Sequence, residues 1–463
     1  MSADYFTAIY SHLPIFAQNI ICSQYGRKAK KLRFGKAFEQ KLSFLLESQK
    51  WSESNIKAYQ DEKLSELIRH SYANVQYYRS LMDKLHLKPS DIKHVEDLLK
   101  LPVLTKEDIR NNIQALIAKN ANKSDLVFSH TSGTTAKSLQ FYVSRLQIPF
   151  QWAVWWRHRM RFSVNPGLMH VNFTGKRVVP PQQKVPPYWR WNKPLNQALM
   201  NMHHMTPKNI KDIISFLNEH DFIYYSGYPS IIHAFAMCAL EKSISLEKKP
   251  RFIFTGAENM LDFQLKDIKS VTGATFTDQY GFSEGCGNAS QCNQFVYHED
   301  FEFGIVECID AEPLDSGKSK RGKIVCTGFA CPEFPFIRYE VGDIGIWDTS
   351  GKCCPCGLQS KVIKSIEGRK DDYVLTPEGR RIMRFDYIFK DTGNVKEAQV
   401  IQKKQGEICI LIVRRPNYSQ KDEQFIISEV HKWISPLLSV NFEYISHIER
   451  EKNGKFRAVK SML

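Results

Sequence analysis

The sequence predicts an α/β protein with a large N-terminal domain of layered sheets and helices and a small C-terminal α+β domain. Short apolar strands alternate with helical stretches, and each strand ends in a polar loop that contains glycine. After residue 301 the pattern becomes mainly β. The 463 residues, 43% hydrophobic and 24% charged, suffice for more than one core. We expect a large domain over residues 1–368, with a β subdomain at about 301–368, and a mobile lid domain over 369–463.

The N-terminal region is predicted to be helical over residues 36–120. Phe38, Leu42 and Leu45 recur at helical spacing, and similar spacings continue to Ile68. Thr105 is a candidate N-cap, and Asp108 three residues later completes a capping box.

The following elements alternate between strands and helices. Strands are predicted at 126–128, 222–225, 251–254 and 274–277, and helices at 147–162 and 207–219. Residues 180–191, rich in proline, are expected to form no regular element. Further strands are predicted at 303–308, 322–327 and 336–339, more strands within 395–413, and a last helix at 422–434.

A hydroxyl-rich loop, Ser129–Ser138, follows the first strand. It offers backbone N–H groups, hydroxyl donors and Lys137, which suit a phosphate chain, and Gly133 lets the backbone approach closely. It is not the P-loop of nucleotide triphosphatases, because the glycine spacing differs and no Gly-Lys-Ser/Thr ends it. A plain surface turn is the alternative.

The net charge of the protein by itself excludes few classes of binding partner. The formal net charge is +15, from 64 basic and 49 acidic residues, but the basic residues are scattered and no nucleic-acid motif is present. We therefore expect anionic small-molecule ligands and no nucleic acid.

Residues 5–22 are too polar to span a membrane, and they are expected to form a helix packed on the domain. Peripheral membrane contact through residues 5–16 and the basic run 27–31 is the weaker alternative. The 11 cysteines without a secretory signal indicate reduced thiols and a cytoplasmic protein.

A cysteine cluster forms a second candidate site. Cys292, His298, Cys354 and Cys356 make up the Cys₃His set of a structural zinc site, although Cys-Pro-Cys is not zinc-finger spacing. Unliganded buried thiols and a redox role are the alternatives. Cys286 and Cys353 are nearby substitutes for one ligand.

Several motifs then stand in an order that resembles the adenylate-forming superfamily. They are Thr131-Ser132-Gly133-Thr134-Thr135, Tyr280-Gly281-Phe282-Ser283-Glu284, Arg338-Tyr339 with Gly342-Asp343, Gly368-Arg369-Lys370-Asp371-Asp372, and Gly454-Lys455. Gly227-Tyr228-Pro229-Ser230 and Asp371-Asp372-Tyr373-Val374 look most like the phenylacetate–CoA ligase branch, and closest to capsular polysaccharide biosynthesis proteins of the CapK type. The resemblance covers nearly the whole chain.

The resemblance implies a role for each motif. Ser132, Gly133, Thr134, Thr135 and Lys137 would cradle the ATP phosphates, with Thr134 counted among the catalytic residues. Glu284 would hold Mg²⁺, beside Gly281 and Ser283 of the same motif. Tyr280 would stack beside the adenine, lined by Gly256, Ala257 and Glu258. Asp343 would hold the ribose hydroxyls, with Arg338 or Arg369 near ribose and phosphate. Lys455, on a C-terminal domain hinged at Asp371, would stabilise the charge that develops on the α-phosphate, where attack by the carboxylate spreads negative charge over several oxygens.

The implied function is an AMP-forming ligase that uses ATP and Mg²⁺ to make an acyl-adenylate from a small carboxylic acid. The acyl acceptor would be coenzyme A or an amine, in capsular or surface polysaccharide biosynthesis. An aromatic acid is suggested by Trp155, Tyr225, Tyr228 and Phe254. The alternative is a catalytically weak or inactive nucleotide-binding scaffold of a polysaccharide assembly pathway.

Some residues have simpler explanations, and one departs from the superfamily pattern. Asp343 could be a turn residue, Lys455 a solvated tail lysine and Glu258 a helix cap. Ala136 stands where the superfamily usually has glycine, and alanine adopts positive φ less easily.

Overall fold

A computed structural model describes most of the chain. The described residues are 9–130, 139–174, 176, 178–180, 182–201, 204–260, 262–369, 373–377, 381–382, 385–389, 392, 394–450 and 456–463; the side chains of 263, 368, 369, 381, 386, 387 and 433 are also left out.

The helices lie in both halves of the chain. They are α1 (Ile15–Arg33), α2 (Lys36–Ser48), α3 (Glu53–Asn74), α4 (Gln76–Lys84), α5 (Lys106–Asn112), α6 (Gln147–Arg161), α7 (Ile210–Glu219), α8 (Pro229–Glu241), α9 (Asp262–Thr272) and α10 (Gln420–Trp433). Among the described helices, none combines the length and apolar character that crossing a membrane requires.

The strands begin at residue 126. They are β1 (Leu126–His130), β2 (Gln140–Ser144), β3 (His170–Thr174), β4 (Trp189–Asn192), β5 (Gln197–Asn201), β6 (Tyr224–Gly227), β7 (Phe252–Gly256), β8 (Thr275–Gly281), β9 (Asn288–Gln291), β10 (Tyr297–Glu299), β11 (Gly304–Leu314), β12 (Ser319–Gly328), β13 (Tyr339–Asp348), β14 (Val362–Arg369), β15 (Val374–Leu375), β16 (Arg381–Ile382), β17 (Val395–Lys404), β18 (Glu407–Arg414), β19 (Ser439–Tyr444) and β20 (Val459–Ser461). The α/β class predicted from the sequence is confirmed.

The chain divides into two compact units. The first comprises Met1–Ser23, Met169–Phe276 and Glu367–Leu463, and the second comprises Gln24–Leu168 and Thr277–Ile366. The domain boundary predicted between residues 368 and 369 stays a prediction.

The first unit contains a sheet ordered β7-β6-β3-β5-β4, in which only β4 runs antiparallel to its neighbour. Buried residues of α7, α8 and these strands form one core, and Ile213, Phe235 and Ile253 are completely buried in it. A second core lies under the sheet β19-β18-β17-β20, against which α10 packs. This small sheet with its helix is the α+β arrangement that we predicted for the C-terminal residues.

The second unit contains the strands β11-β12-β13-β14-β10-β9-β8 in that order, together with helices α2 to α6. Its apolar core includes Leu64, Phe141 and Tyr339. The capping box predicted at α5 is confirmed: Asp108 N donates to Thr105 Oγ1 at 3.2 Å, and Thr105 N donates to Asp108 Oδ2 at 2.8 Å.

Two details of the predicted fold are wrong. Residues 180–191 were expected to lack regular structure, but Trp189–Asn192 pairs antiparallel with β5. Residues 336–338 precede β13 instead of forming a strand. The strand predicted at 126–128 is present as β1, and it forms an antiparallel hairpin with β2. The partner of a strand is set by the fold and not by the local pattern.

Candidate functional site

In the second unit, the tyrosine and the aspartate predicted to contact the nucleoside are hydrogen-bonded to each other. Tyr280 lies at the end of β8 and Asp343 within β13, and Tyr280 Oη donates to Asp343 Oδ2 at 2.7 Å. Burial raises the pKa of Tyr280 well above its usual value, and the nearby Asp343 carboxylate adds to this shift. The phenol therefore keeps its proton at neutral pH and fixes the position of the Asp343 carboxylate.

A second phenol–carboxylate pair holds the predicted magnesium ligand. Tyr339, the first residue of β13, donates to Glu284 Oε1 at 2.7 Å, and Glu284 is only 5% exposed. Burial and the Glu284 carboxylate raise the pKa of Tyr339. The sequence analysis did not assign a role to Tyr339, although it lies beside Arg338 in one of the recognised motifs.

The loop after β8 is fixed by a side chain that the sequence did not identify. Gln147, at the start of α6, donates through Nε2 to the carbonyl oxygen of Gly285 at 3.0 Å. Gly285 has φ 63°, and a Cβ there would lie 1.8 Å from that Nε2. Glycine adopts this φ without strain, and a larger residue would displace the Gln147 side chain. No local pattern marks a glutamine that acts 138 residues away.

Other members of the motif lie at the end of β8 and in the loop that follows it. A Cβ at Gly281 would lie 2.7 Å from Asn288 Oδ1, so this glycine also allows a close approach. Ser283 is exposed.

Arg338 forms its described contacts inside the second unit, and the nucleotide contact predicted for it stays a prediction. Its Nε donates to Glu307 Oε1 at 3.1 Å and its Nη1 donates to the carbonyl oxygen of Leu101 at 2.5 Å. Arg338 is only 6% exposed. Arg369, the other arginine considered, ends β14, and its side chain lies outside the described residues.

In the first unit, the residues predicted to line the adenine follow β7. Gly256 ends the strand, Ala257 has φ 68°, and Glu258 is buried. Glu258 accepts from Ser230 N at 3.0 Å and from Ser230 Oγ at 3.1 Å. Ser230 lies in the first turn of α8, so the carboxylate caps that helix, as the simpler explanation proposed.

Glu258 also anchors the C-terminal segment of the chain. Phe456 N donates to Glu258 Oε1 at 2.7 Å. The guanidinium of Arg450 lies over the Phe456 ring, 4.4 Å from its centroid, and it forms an ion pair with Glu397. Burial raises the pKa of Glu258, although these donors oppose the shift. The residue that follows Lys455 is therefore held on a buried carboxylate; Lys455 itself lies outside the described residues.

The predicted phosphate loop lies largely outside the described residues. Ser132, Gly133, Thr134, Thr135 and Lys137 all belong to that undescribed part, as does Ala136. The flanking strands β1 and β2 pair in register up to His130 opposite Gln140. The loop therefore connects two strand ends that face each other.

The aromatic side chains proposed for the acid pocket differ in environment. Tyr225 and Phe254 are buried, whereas Trp155 and Tyr228 are half-buried. Trp155 Nε1 donates to Asn288 Oδ1 at 3.3 Å.

The four predicted metal ligands come together in the second unit. Cys292, His298, Cys354 and Cys356 place one candidate ligand atom each within 4.8 Å of all the others. The two suggested substitutes lie outside this group: Cys286 is buried near Cys326 and Glu284, and Cys353 is exposed.

With this geometry established, comparison with solved structures defines the class of fold. A 2-hydroxyisobutyryl-CoA ligase in its postadenylation state, in complex with R3-HIB-AMP, matches with a TM-score of 0.67 at 16% identity, covering 90% of this chain and 92% of that one. The same ligase in an open conformation with 2-HIB-AMP and CoA gives a TM-score of 0.52 at 16% identity, covering 87% and 90%. The chain has the adenylate-forming ligase fold.

Sequence comparison identifies particular proteins to which this chain is similar. The chain is 28% identical to Protein CapK of Staphylococcus aureus over 461 residues, covering 97% of this chain and 98% of that protein. It is 24% identical to the phenylacetate-coenzyme A ligase of Thermus thermophilus over 335 residues, covering 69% and 72%. Residues 374–462 match the CapK C-terminal domain family. The resemblance to CapK-type proteins and to the phenylacetate–CoA ligase branch is confirmed.

Proposed function

We propose that this protein is an AMP-forming ligase that activates a carboxylic acid with ATP and transfers the acyl group to an acceptor. The observation that carries the proposal is the pair of phenol–carboxylate contacts, Tyr280 with Asp343 and Tyr339 with Glu284, both 2.7 Å long. The similarity to CapK along almost the whole chain, the phenylacetate–CoA ligase relatives and the fold match support it.

The proposed reaction has two steps. A carboxylate oxygen attacks the α-phosphorus of ATP, and the bond to the β-phosphate oxygen breaks to release pyrophosphate. A thiol or amine then attacks the acyl carbonyl, loses its proton and displaces AMP. Both steps concentrate negative charge on oxygens, so oriented donors and cations supply most of the catalysis.

The second unit supplies groups for the nucleotide and the metal. Asp343, held in place by Tyr280, would accept hydrogen bonds from the ribose hydroxyls. Glu284 is a carboxylate, the type of hard oxygen ligand that Mg²⁺ prefers, and the Tyr339 hydroxyl holds it in place. Bound Mg²⁺ would neutralise phosphate charge and orient ATP.

The first unit would supply the cation, Lys455. Lys455 precedes Phe456, whose backbone N–H binds Glu258. We propose that Glu258 is a positioning residue that holds the Lys455 segment while the acid is adenylated. The contact would break if the C-terminal domain moves between the two steps. The hydroxyl-rich loop with Thr134 and Lys137 would bind the phosphates, and Arg369 would lie near ribose and phosphate.

The acceptor is proposed to be coenzyme A or an amine. Coenzyme A appears in the names of the phenylacetate-coenzyme A ligases and of the 2-hydroxyisobutyryl-CoA ligase. An amine of a surface-polysaccharide precursor is the alternative acceptor, which the resemblance to CapK-type proteins implied from the sequence; the similarity to Protein CapK extends over 97% of this chain.

Carboxylate-dependent ATP–pyrophosphate exchange tests the proposal. A panel of aliphatic and aromatic acids, including phenylacetate and 2-hydroxyisobutyrate, is assayed with the wild type and with Lys455→Ala. We expect exchange with at least one acid and a loss of at least 100-fold in the variant. ATP binding without exchange for any acid would favour the nucleotide-binding scaffold instead.

A further inference from the structure

We infer that Cys292, His298, Cys354 and Cys356 form a structural zinc site. This site is independent of the proposed ligase activity. Three thiols and one imidazole from two separate segments lie with their ligand atoms within 4.8 Å of one another.

The spacing of the ligand atoms fits one tetrahedral ion. Sulfur atoms about 2.3 Å from zinc at the tetrahedral angle lie about 3.8 Å apart. Cys292 Sγ and Cys354 Sγ are 3.9 Å apart, and Cys356 Sγ is 3.2 Å from His298 Nε2. Three soft sulfurs with one nitrogen select zinc over the hard cations Mg²⁺ and Ca²⁺.

In the turn that begins at Cys292, a backbone N–H group faces the sulfur of that cysteine. Cys292 and Val296 close a tight turn, since Cys292 N donates to Val296 O at 3.0 Å and Phe295 N donates to Cys292 O at 3.0 Å. Gln294 N donates to Cys292 Sγ at 3.3 Å. A thiolate accepts such a hydrogen bond better than a neutral thiol does, so the turn stabilises the form of cysteine that binds metal.

The second cysteine turn has a similar construction. Gly357 N donates to Cys354 O at 3.0 Å, and Gly357 adopts φ 88°. Leu358 N donates to Cys356 Sγ at 3.5 Å. In the first segment the turn begins at Cys292 and an N–H two residues later faces the Cys292 sulfur. In the second segment the turn begins at Cys354, and an N–H two residues after Cys356 faces the Cys356 sulfur.

The histidine is oriented for the same centre. His298 is completely buried, and its Nδ1 lies 3.2 Å from the carbonyl oxygen of Ser360. A carbonyl can only accept, so Nδ1 carries the proton and Nε2 presents its lone pair toward Cys356. Carbonyl partners of this kind orient histidine ligands in metal sites.

A zinc ion at these four ligands would link a short strand to a segment without regular structure. His298 belongs to the three-residue strand β10, which pairs with β14 through Tyr297 opposite Ile363 and His298 opposite Val362. Segment 353–357 has no strand or helix among its described residues. Four protein ligands leave no open position, so the site is structural and holds this segment to the β9–β10 hairpin.

Metal analysis of the full-length protein tests this inference without an activity assay. The protein is purified without a metal-affinity step, dialysed against a mild chelator and analysed by plasma mass spectrometry. We expect one zinc per chain in the wild type and in Cys353→Ser, because Cys353 precedes Cys354 in the sequence but is not one of the four clustered ligands. Cys292→Ser and Cys356→Ser should retain at most one fifth of the zinc.

A spectroscopic measurement covers the case in which those variants do not fold. Zinc-edge absorption of the wild type should show three sulfur ligands at about 2.3 Å and one nitrogen at about 2.0 Å. Metal-free protein, zinc bound by oxygen ligands, or a Cys292–Cys354 disulfide would overturn the inference. Iron in place of zinc would also overturn it, and it would be visible from its absorption spectrum.

Discussion

Asp343 is the side chain whose predicted role is most directly supported by its neighbours. The Tyr280 hydroxyl fixes the position of its carboxylate. A charge-assisted hydrogen bond contributes about 1.5–3 kcal/mol, so Asp343→Ala should raise KM for ATP about 10- to 100-fold in the exchange assay. Asp348→Ala, on the same strand, is the control and should change KM less than about twofold. An unchanged KM in a folded Asp343→Ala protein would contradict the ribose role.

Glu258 should affect catalysis through the Lys455 segment. Glutamine at this position keeps one carbonyl oxygen but turns an N–H₂ group toward the donors Ser230 and Phe456. A displacement of about 1 Å can cost about 100-fold in rate, so Glu258→Gln should lower kcat for exchange about 10- to 100-fold.

A double-mutant cycle separates positioning by Glu258 from a general loss of structure. If Glu258 acts through Lys455, Glu258→Gln should have little further effect in a Lys455→Ala background. Equal effects in both backgrounds would mean that Glu258 acts independently of the lysine.

His158 should make stability depend on pH. It is buried with Nε2 2.9 Å from Thr277 Oγ1, and burial, with Arg159 and Arg161 nearby, lowers its pKa well below the usual value. The unfolded chain therefore takes up a proton near pH 6.5 while the folded chain does not, so the stability is present above that pH and is lost as pH falls.

The pH effect can be isolated with a neutral replacement. Between pH 7.5 and 5.5 the wild type should lose about 1.4 kcal/mol of unfolding free energy that His158→Gln does not lose. Urea unfolding of both proteins at the two pH values measures this difference. A constant difference between them would contradict the lowered pKa.

At the scale of elements, the turn between β6 and α8 depends on one glycine. Gly227 has φ 148°, and a Cβ there would lie 2.2 Å from the carbonyl oxygen of Phe173. Gly227→Ala should therefore lower the unfolding free energy by about 3 kcal/mol or more. Gly351→Ala is the matched control, because its φ is 69° but no atom lies within 4 Å of the added Cβ; about 1 kcal/mol is expected, from urea unfolding. Equal losses would mean that backbone conformation, and not the contact, decides.

Local pattern predicted the elements whose cause lies within a few residues. The Thr105–Asp108 capping box spans three residues, and α7 and α10 followed their apolar periodicity closely. Strand β4 was missed because its pairing with β5, and not the proline-rich sequence around it, gives it its structure. The β1–β2 hairpin was missed because pairing partners of a strand are not encoded by the strand itself.

At the scale of the whole molecule, long-range contacts decided which site residues the sequence could identify. The motif order pointed to Tyr280, Glu284 and Asp343 because each lies in a recognisable stretch. Glu258 and Phe456 are 198 residues apart, and neither sequence neighbourhood indicates their contact. The cysteine cluster was predicted because Cys354 and Cys356 lie two residues apart, and Cys292 and His298 lie six residues apart in an earlier segment.

The most direct test of the central claim follows oxygen from the acid to the nucleotide. A carboxylic acid active in exchange is labelled with ¹⁸O in both carboxyl oxygens and turned over with ATP and an acceptor, and AMP is analysed by mass spectrometry. Attack of the carboxylate on the α-phosphorus predicts AMP with one ¹⁸O atom, because the bridging oxygen of the acyl-adenylate leaves with AMP. Unlabelled AMP, or ADP with labelled phosphate, would contradict adenylation.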